Sequence, residues 1–143
     1  MQLVSDRMTG RRQPTRVVRY SFQPPHTVAM TPNSAVDSTA VELEHQPVPA
    51  DQSVSGAPQT AALALDEFDG LEIGVWEMTP GVMSDVEADE VFVVVAGSGS
   101  VEFADGSPTL HLGPGTVCRL KAGTSTVWTV TETLRKVYLT GPA

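Results

Sequence analysis

From residue 59 onward, apolar and polar positions alternate in short runs separated by turn-forming pairs. "TAALALDEF" leads through "DG" into "LEIGVWEMT"; "PG" follows, and then "EVFVVVAG", "GSVEFADG", "TLHLGPG", "TVCRLKAG", "TVWTVTE" and "RKVYLTG". A period of two sends successive side chains to opposite faces of a strand, and Gly, Pro and Asp supply the backbone geometry that reverses a chain. The pattern predicts strands of about five to eight residues, with "DG", "PG" and "GSG" between them, packed as an all-β sandwich or barrel. No segment of this body has a helical period. It holds no glycine-rich nucleotide loop before a helix, no P-loop and no nucleophile elbow.

Upstream the texture is different. Residues 31–58, within "MTPNSAVDSTAVELEHQPVPADQSVSGAPQ", are rich in Pro, Ser, Thr, Val and Asp without sustained periodicity. They predict an irregular, loosely draped arm, in which a short piece such as "VELEH" lays an extra edge strand on the body. Residues 1–30 form a basic head, expected to be disordered or irregular. Arg7, Arg11, Arg12, Arg16 and Arg19 stand there against Asp6, a net of +4, so the overall −8 leaves −12 for the remainder. Such a body repels phosphate backbones, and no nucleic-acid partner is expected for the folded part. Residues 59–143 are assigned to the barrel.

A chain of 143 residues with 41% hydrophobic content supports one modest core. The single Cys118 has no second thiol for a disulfide or a redox pair, which points to a reducing, cytoplasmic setting. No apolar run approaches the ~18 residues of a membrane-spanning helix, and "GRRQPT" lacks the apolar segment of an export signal, so no membrane partner is expected.

The candidate chemistry centres on "DEVFVVVAGSGSVEF", where Glu90 opens a run of Val and Phe. Along this strand Glu90, Phe92 and Val94 share one face and Val91, Val93 and Val95 the other. Both faces are apolar, as in the wall of a small barrel, and two placements fit. Glu90 either projects into the interior near one end, or is an exposed member of the acidic run "SDVEADE".

Glu90, six residues and then Gly97, followed by "GSVEF", resembles the end of the first cupin motif, and "GTVCRLKAGTSTVWTV" matches the second in outline. More closely, "GVWEMTPG", "DEVFVVVAGSGSVEF", "LGPGT" and "TVWTVTETLRKVYL", in that order, resemble the small cupins that include ethanolamine-utilisation protein Q and the ureidoglycine-aminohydrolase-like proteins. The resemblance implies a double-stranded β-helix barrel of the jelly-roll kind. It also implies a metal site of histidines and one glutamate, and here the chain departs from the pattern. The two histidine positions fall on Ser84 and Val86, or on Met83 and Asp85 if the loop is longer, and the third falls on Thr126. Without imidazoles, Glu90 and at most Asp85 do not hold Fe, Mn, Ni or Zn tightly, so no metal and no cofactor is expected.

His26 and His45 lie upstream of the body, and His111 in "TLHLG" is expected to face solvent opposite Leu110 and Leu112. Cys118, on the face of Leu120, reads as a small core residue. If Thr126 points inward, as the resemblance implies, Trp128 and Val130 follow it, giving a pocket lined by Trp76, Ser84, Val86, Glu90, Thr126, Trp128, Lys136 and Tyr138. A buried carboxylate without a metal must be protonated, paired with a cation such as Lys136, or hydrogen-bonded, for example by Thr126. Glu90 is therefore the candidate anchor of the pocket and, in an enzyme, its general acid or base. The expected ligand is a small polar metabolite. A metal-independent aminohydrolase- or isomerase-like enzyme and a structural or assembly cupin remain alternatives. A homodimer is expected, since a small barrel with the apolar arm "AVELEHQPV" has strand edges to protect.

Overall fold

The computed structural model describes residues 30–141, which contain strands and turns and no helix. The strands are β1 (Gln46–Pro47), β2 (Ser53–Ser55), β3 (Gln59–Phe68), β4 (Leu71–Met78), β5 (Gly81–Val86), β6 (Glu90–Phe103), β7 (Leu110–Leu112), β8 (Val117–Leu120) and β9 (Ser125–Thr140). All pairings are antiparallel, in one curled sheet of nine strands.

Two long strands make the curl. The first half of β6 pairs with the last third of β9, from Glu90↔Thr140 to Ala96↔Arg135, and its second half pairs with the start of β9, from Gly99↔Val130 to Phe103↔Thr126. Register shifts between Val94 and Gly99 bend both strands, so each belongs to both layers. One layer runs β1-β3-β4-β9-β6-β8, and the other runs β2-β5-β9-β6-β7. The "GSG" that the sequence pattern marks as a turn is this bend. Gly97 has φ 86°, and a side chain there would collide with the Thr133 carbonyl oxygen. A strand that must cross from one layer to the other needs a left-handed residue and close backbone approach, and glycine supplies both. The predicted short strands therefore merge into strands of 14 and 16 residues. β5, in "GVMSDV", lies outside the predicted runs because its inner face carries one apolar and one acidic residue, Met83 and Asp85.

The main core fills the space between the layers with Trp76, Met78, Phe92, Val94, Leu120, Trp128, Leu134 and Tyr138 among others. A second cluster lies outside, where Leu63, Leu65 and Val75 are covered by Met30, Val36, Val41 and Leu43 of the arm. The arm is not strand-paired along "VELEH". Its Val41 and Leu43 lie against the sheet, and the Val41 carbonyl accepts from Arg135 Nη1 at 2.7 Å instead of joining a ladder. The added strands form further on, at β1 against β3 and β2 against β5. Residues 46–58 thus strap the free edge of one layer to that of the other, with Val48 buried in the main core. The basic head lies outside the described residues except Met30, whose amide donates to the Leu65 carbonyl at 2.8 Å. Among the described residues no helix is long and apolar enough to cross a membrane.

Candidate functional site

Alternation and register fix what faces the interior. In one layer Trp76 lies opposite Lys136, Gly74 opposite Tyr138, and Tyr138 in turn opposite Phe92, while Glu90 pairs with Thr140 and Leu120. In the other, Met83 lies opposite Trp128 and Asp85 opposite Thr126. The two inward sets meet near the start of β6.

There the Glu90 side chain is buried, 6% exposed, whereas the adjacent Asp89 is displayed on the surface. Its Oε1 lies 2.8 Å from the Nζ of Lys136, which is 2% exposed. The contact is an ion pair whose angle departs from the hydrogen-bonding direction. The ammonium also lies 4.5 Å from the ring centroids of Trp76 and Phe92 and 4.7 Å from that of Trp128. A charge stripped of water needs compensation of this kind, here one carboxylate and three electron-rich ring faces.

Beside the pair sits an acid that the sequence reading leaves in the solvated run. Glu87 is buried, and its Oε1 accepts hydrogen bonds from Thr126 Oγ1 at 2.7 Å and Trp128 Nε1 at 2.8 Å. Its backbone is pinned on both sides, the amide donating to the Thr124 carbonyl and the carbonyl accepting from Gly123, each at 2.8 Å. The signal in the sequence is indirect. Thr126 and Trp128 are two donors on one inward face, and buried donors require an acceptor.

Asp85 completes the acidic side. Its Oδ1 accepts from the Val86 amide at 2.8 Å and from Gln52 Nε2 of the strap at 3.3 Å. Burial, then the charge of Glu87, pushes its carboxyl up to about 6, with Glu90 adding to the rise and the Val86 amide and Lys136 opposing it.

Of the pocket residues expected from sequence, Trp76, Glu90, Thr126, Trp128, Lys136 and Tyr138 all turn inward. Val86 does not: it is 45% exposed, on the outer face of β5. Ser84 also faces outward, half-buried, with its amide and hydroxyl on the Gln52 carbonyl at 2.8 and 3.5 Å. The alternative offset, with Met83 and Asp85 inward, is the one that the register with Trp128 and Thr126 enforces. Tyr138 turns away from the ion pair and donates its hydroxyl to Glu72 Oε2 at 3.1 Å; burial, then the charge of Glu72, raises its phenol far above the usual value. His111 is exposed. Cys118 is buried in the core, where desolvation raises its thiol, with Lys136 opposing.

The inward positions at which the resembled proteins hold a metal carry Met83, Asp85, Glu90 and Thr126. One carboxylate is taken by an ammonium, and the hydroxyl is committed to Glu87. A single further carboxylate and a thioether do not fit a transition metal, and among the described residues no group of three or more His, Cys, Asp or Glu is arranged to hold one.

The curled double layer, bent at β6 and β9, is the double-stranded β-helix of the cupins. Residues 65–138, more than half of the chain, match the EutQ-like cupin domain, and the chain belongs to that family. Among solved structures, a protein of unknown function from Pseudomonas syringae pv. tomato, of the DUF861 family, is 28% identical with a TM-score of 0.62 over 74% of this chain and 46% of that one. This chain therefore spans under half of that protein. One from Rhizobium leguminosarum bv. viciae, also of unknown function, is 25% identical with a TM-score of 0.53, covering 59% of this chain and 82% of its own. A putative ethanolamine utilization protein Q from Salmonella typhimurium is 15% identical, with a TM-score of 0.51 over 71% of this chain and 95% of that one, a likeness of fold. No curated protein matches the chain.

Proposed function

We propose that this cupin is a cytoplasmic binding protein for a small polar metabolite, anchored inside the barrel by the Glu90–Lys136 pair. The observation that carries the reading is the pair itself, 2.8 Å apart and enclosed by three aromatic rings. Apolar residues of similar volume stabilise a core as well as a buried ion pair does, so stability alone gives no reason to keep one there. Glu87, through its second carboxylate oxygen, and Asp85 offer further polar contacts beside it, and the aromatic walls supply the apolar remainder of a small-molecule site. A second reading, metal-independent acid–base catalysis with Glu90 as the proton-transferring group, is favoured by Asp85. A carboxyl pushed up to about 6 next to an ammonium and a second carboxylate exchanges protons near neutral pH.

The test is native mass spectrometry of the full chain, followed by thermal-shift titration with small amines, amides and organic acids, on the natural protein and on Glu90→Gln. A ligand that raises the melting temperature of the natural protein and binds Glu90→Gln at least tenfold more weakly, about 1.4 kcal/mol, supports the anchor. Turnover of that ligand selects the enzyme. If no compound binds, or the variant binds equally well, the pair is structural and the proposal fails.

A further inference from the structure

The polar groups gathered near the start of β6 do not balance in charge. Glu87 and Glu90 are buried there, and Asp85, half-buried, lies beside them on the inner face of β5. Residues 30–141 hold four cationic side chains, Arg119, Lys121, Arg135 and Lys136. Arg119 and Lys121 are exposed, and Arg135 is turned outward to the arm. Among the described residues Lys136 alone faces in, and it is committed to Glu90 and to the rings of Trp76, Phe92 and Trp128. The hydrogen bonds are unbalanced in the same sense. Glu90 Oε1 is buried and accepts none, because the ammonium meets it off the bonding direction. Glu87 accepts from Thr126 and Trp128 on Oε1, and Asp85 from the Val86 amide and the neutral Gln52 amide on Oδ1. Acceptors and negative charge are both in surplus.

We infer that the ligand of this site is a small primary amine, whose ammonium is held by Asp85 and Glu87 beside the Glu90–Lys136 pair; the inference rests on the binding function proposed above and names its ligand class. Charge removes the other classes. An organic anion is repelled by the surplus carboxylates, and a neutral molecule leaves them uncompensated. A quaternary ammonium has no N–H to donate and is held by ring faces, which Lys136 already covers. A primary ammonium brings both a positive charge and three donors to carboxylate oxygens. Its way in is Asp85, the least buried of the three acids, whose Oδ1 is reached from the strap only by the Gln52 amide at 3.3 Å. A charged donor replaces that long neutral bond with a stronger one. Burial, then the charge of Glu87, holds the Asp85 carboxyl at about 6. The charged groups facing it are Glu87 from the loop after β5, Glu90 of β6 and Lys136 of β9. An ammonium placed between Asp85 and Glu87 favours the ionised form of Asp85, so the amine drives off its proton.

The test is isothermal titration calorimetry of the full chain with n-propylamine, 1-propanol, propionate and tetramethylammonium, matched in size and differing in charge and donors. Propylamine is expected to bind at least tenfold more tightly than the other three. It stays protonated from pH 5 to 7.5, so only the protein titrates in that range. Its affinity is expected to rise about tenfold across it, with release of roughly half a proton per amine at pH 6, read from the heats in two buffers of different ionisation enthalpy. Asp85→Asn is expected to bind propylamine like the natural protein at pH 5 and about tenfold more weakly at pH 7.5, with no proton released. Equal or tighter binding of propanol, propionate or tetramethylammonium, or an affinity flat with pH, overturns the amine assignment, while the binding function stands if Glu90→Gln still weakens whatever binds. If none of the four binds, the amine assignment fails, and the wider titration on Glu90→Gln described above decides separately whether the binding function fails with it.

Discussion

Lys136 and Glu90 touch across neighbouring strands without facing each other: the partner opposite Glu90 on β9 is Thr140, and the one opposite Lys136 on β6 is Val94. The Nζ–Oε1 distance of 2.8 Å is reached diagonally, by side chains leaning along their strands towards a common point between Trp76, Phe92 and Trp128. The long stem of a lysine spans such an offset; a shorter cation would not. Lys136→Met strands a buried carboxylate and is expected to cost about 3 kcal/mol in urea unfolding. Combined with Glu90→Leu, the same change should cost much less than the two single substitutions summed. Additive losses would mean that the residues do not act as a pair.

Asp85 sets a pH dependence. Its carboxyl is raised above the ordinary 3.8 to about 6 on folding, so the folded state disfavours the ionised form. The resulting cost is absent at pH values below about 4, grows as the pH rises to about 6, and is constant above that. Asp85→Asn, which keeps an acceptor for Gln52 and the Val86 amide, is therefore expected to stabilise the protein by roughly 1–3 kcal/mol at pH 7–8 and not at pH 3.5. Denaturation curves across that range decide it; an equal effect at both ends would assign the change to packing.

For Glu87 the acceptor matters more than the charge. Its Oε1 serves both Thr126 and Trp128, and an amide oxygen has two lone pairs to do the same. Glu87→Gln should be within about 1 kcal/mol of the natural protein, while Glu87→Ala, which orphans two buried donors, should lose about 2–4 kcal/mol. Thermal melts that rank the two variants equally would contradict this.

Arg135 holds the arm. Its Nη1 donates to the Ser38 and Val41 carbonyls at 3.0 and 2.7 Å and its Nε to Glu77 Oε1 at 3.1 Å, while His45 Nε2 meets Glu77 Oε2 at 2.6 Å. Arg135→Met frees two arm carbonyls and leaves Glu77 with His45 alone. Limited proteolysis is expected to cut within residues 36–45 at least fivefold faster than in the natural protein, with the barrel fragment persisting. Unchanged cleavage would show that the apolar contacts of Val36, Val41 and Leu43 hold the arm by themselves.

The strands were legible because their evidence is local, in period-two alternation and turn pairs; the β-helix barrel and the inward setting of Thr126 came with the cupin resemblance, and alternation then carries Trp128 inward with Thr126. The continuity of β6 and β9 was not legible, because "GSG" has the composition of a turn and only a second strand passing beneath Gly97 makes it a bend. Ser84 and Val86 were misplaced for a related reason. Inward and outward differ by one residue, and that parity is set by pairing with β9, a contact some 40 residues away in the chain. Glu87 was hidden in an acidic run that mixes the exposed Asp89 with the half-buried Asp85 and the buried Glu90; what singles it out is the loop that turns its side chain towards Thr126 and Trp128.

β9 lends hydrogen bonds to β4, β5 and β6, and so stitches both layers although it is last in chain order. Before it is placed, the hairpin of β3 and β4 has no neighbour linking it to β6, and β5 has only the three-residue β2 beside it. A nascent chain therefore accumulates strand edges that wait on its final sixteen-residue strand. Folding of this protein is a closing event, slow in the way of long-range β-pairings, and exposed until then to whatever else in the cell binds an unpaired strand.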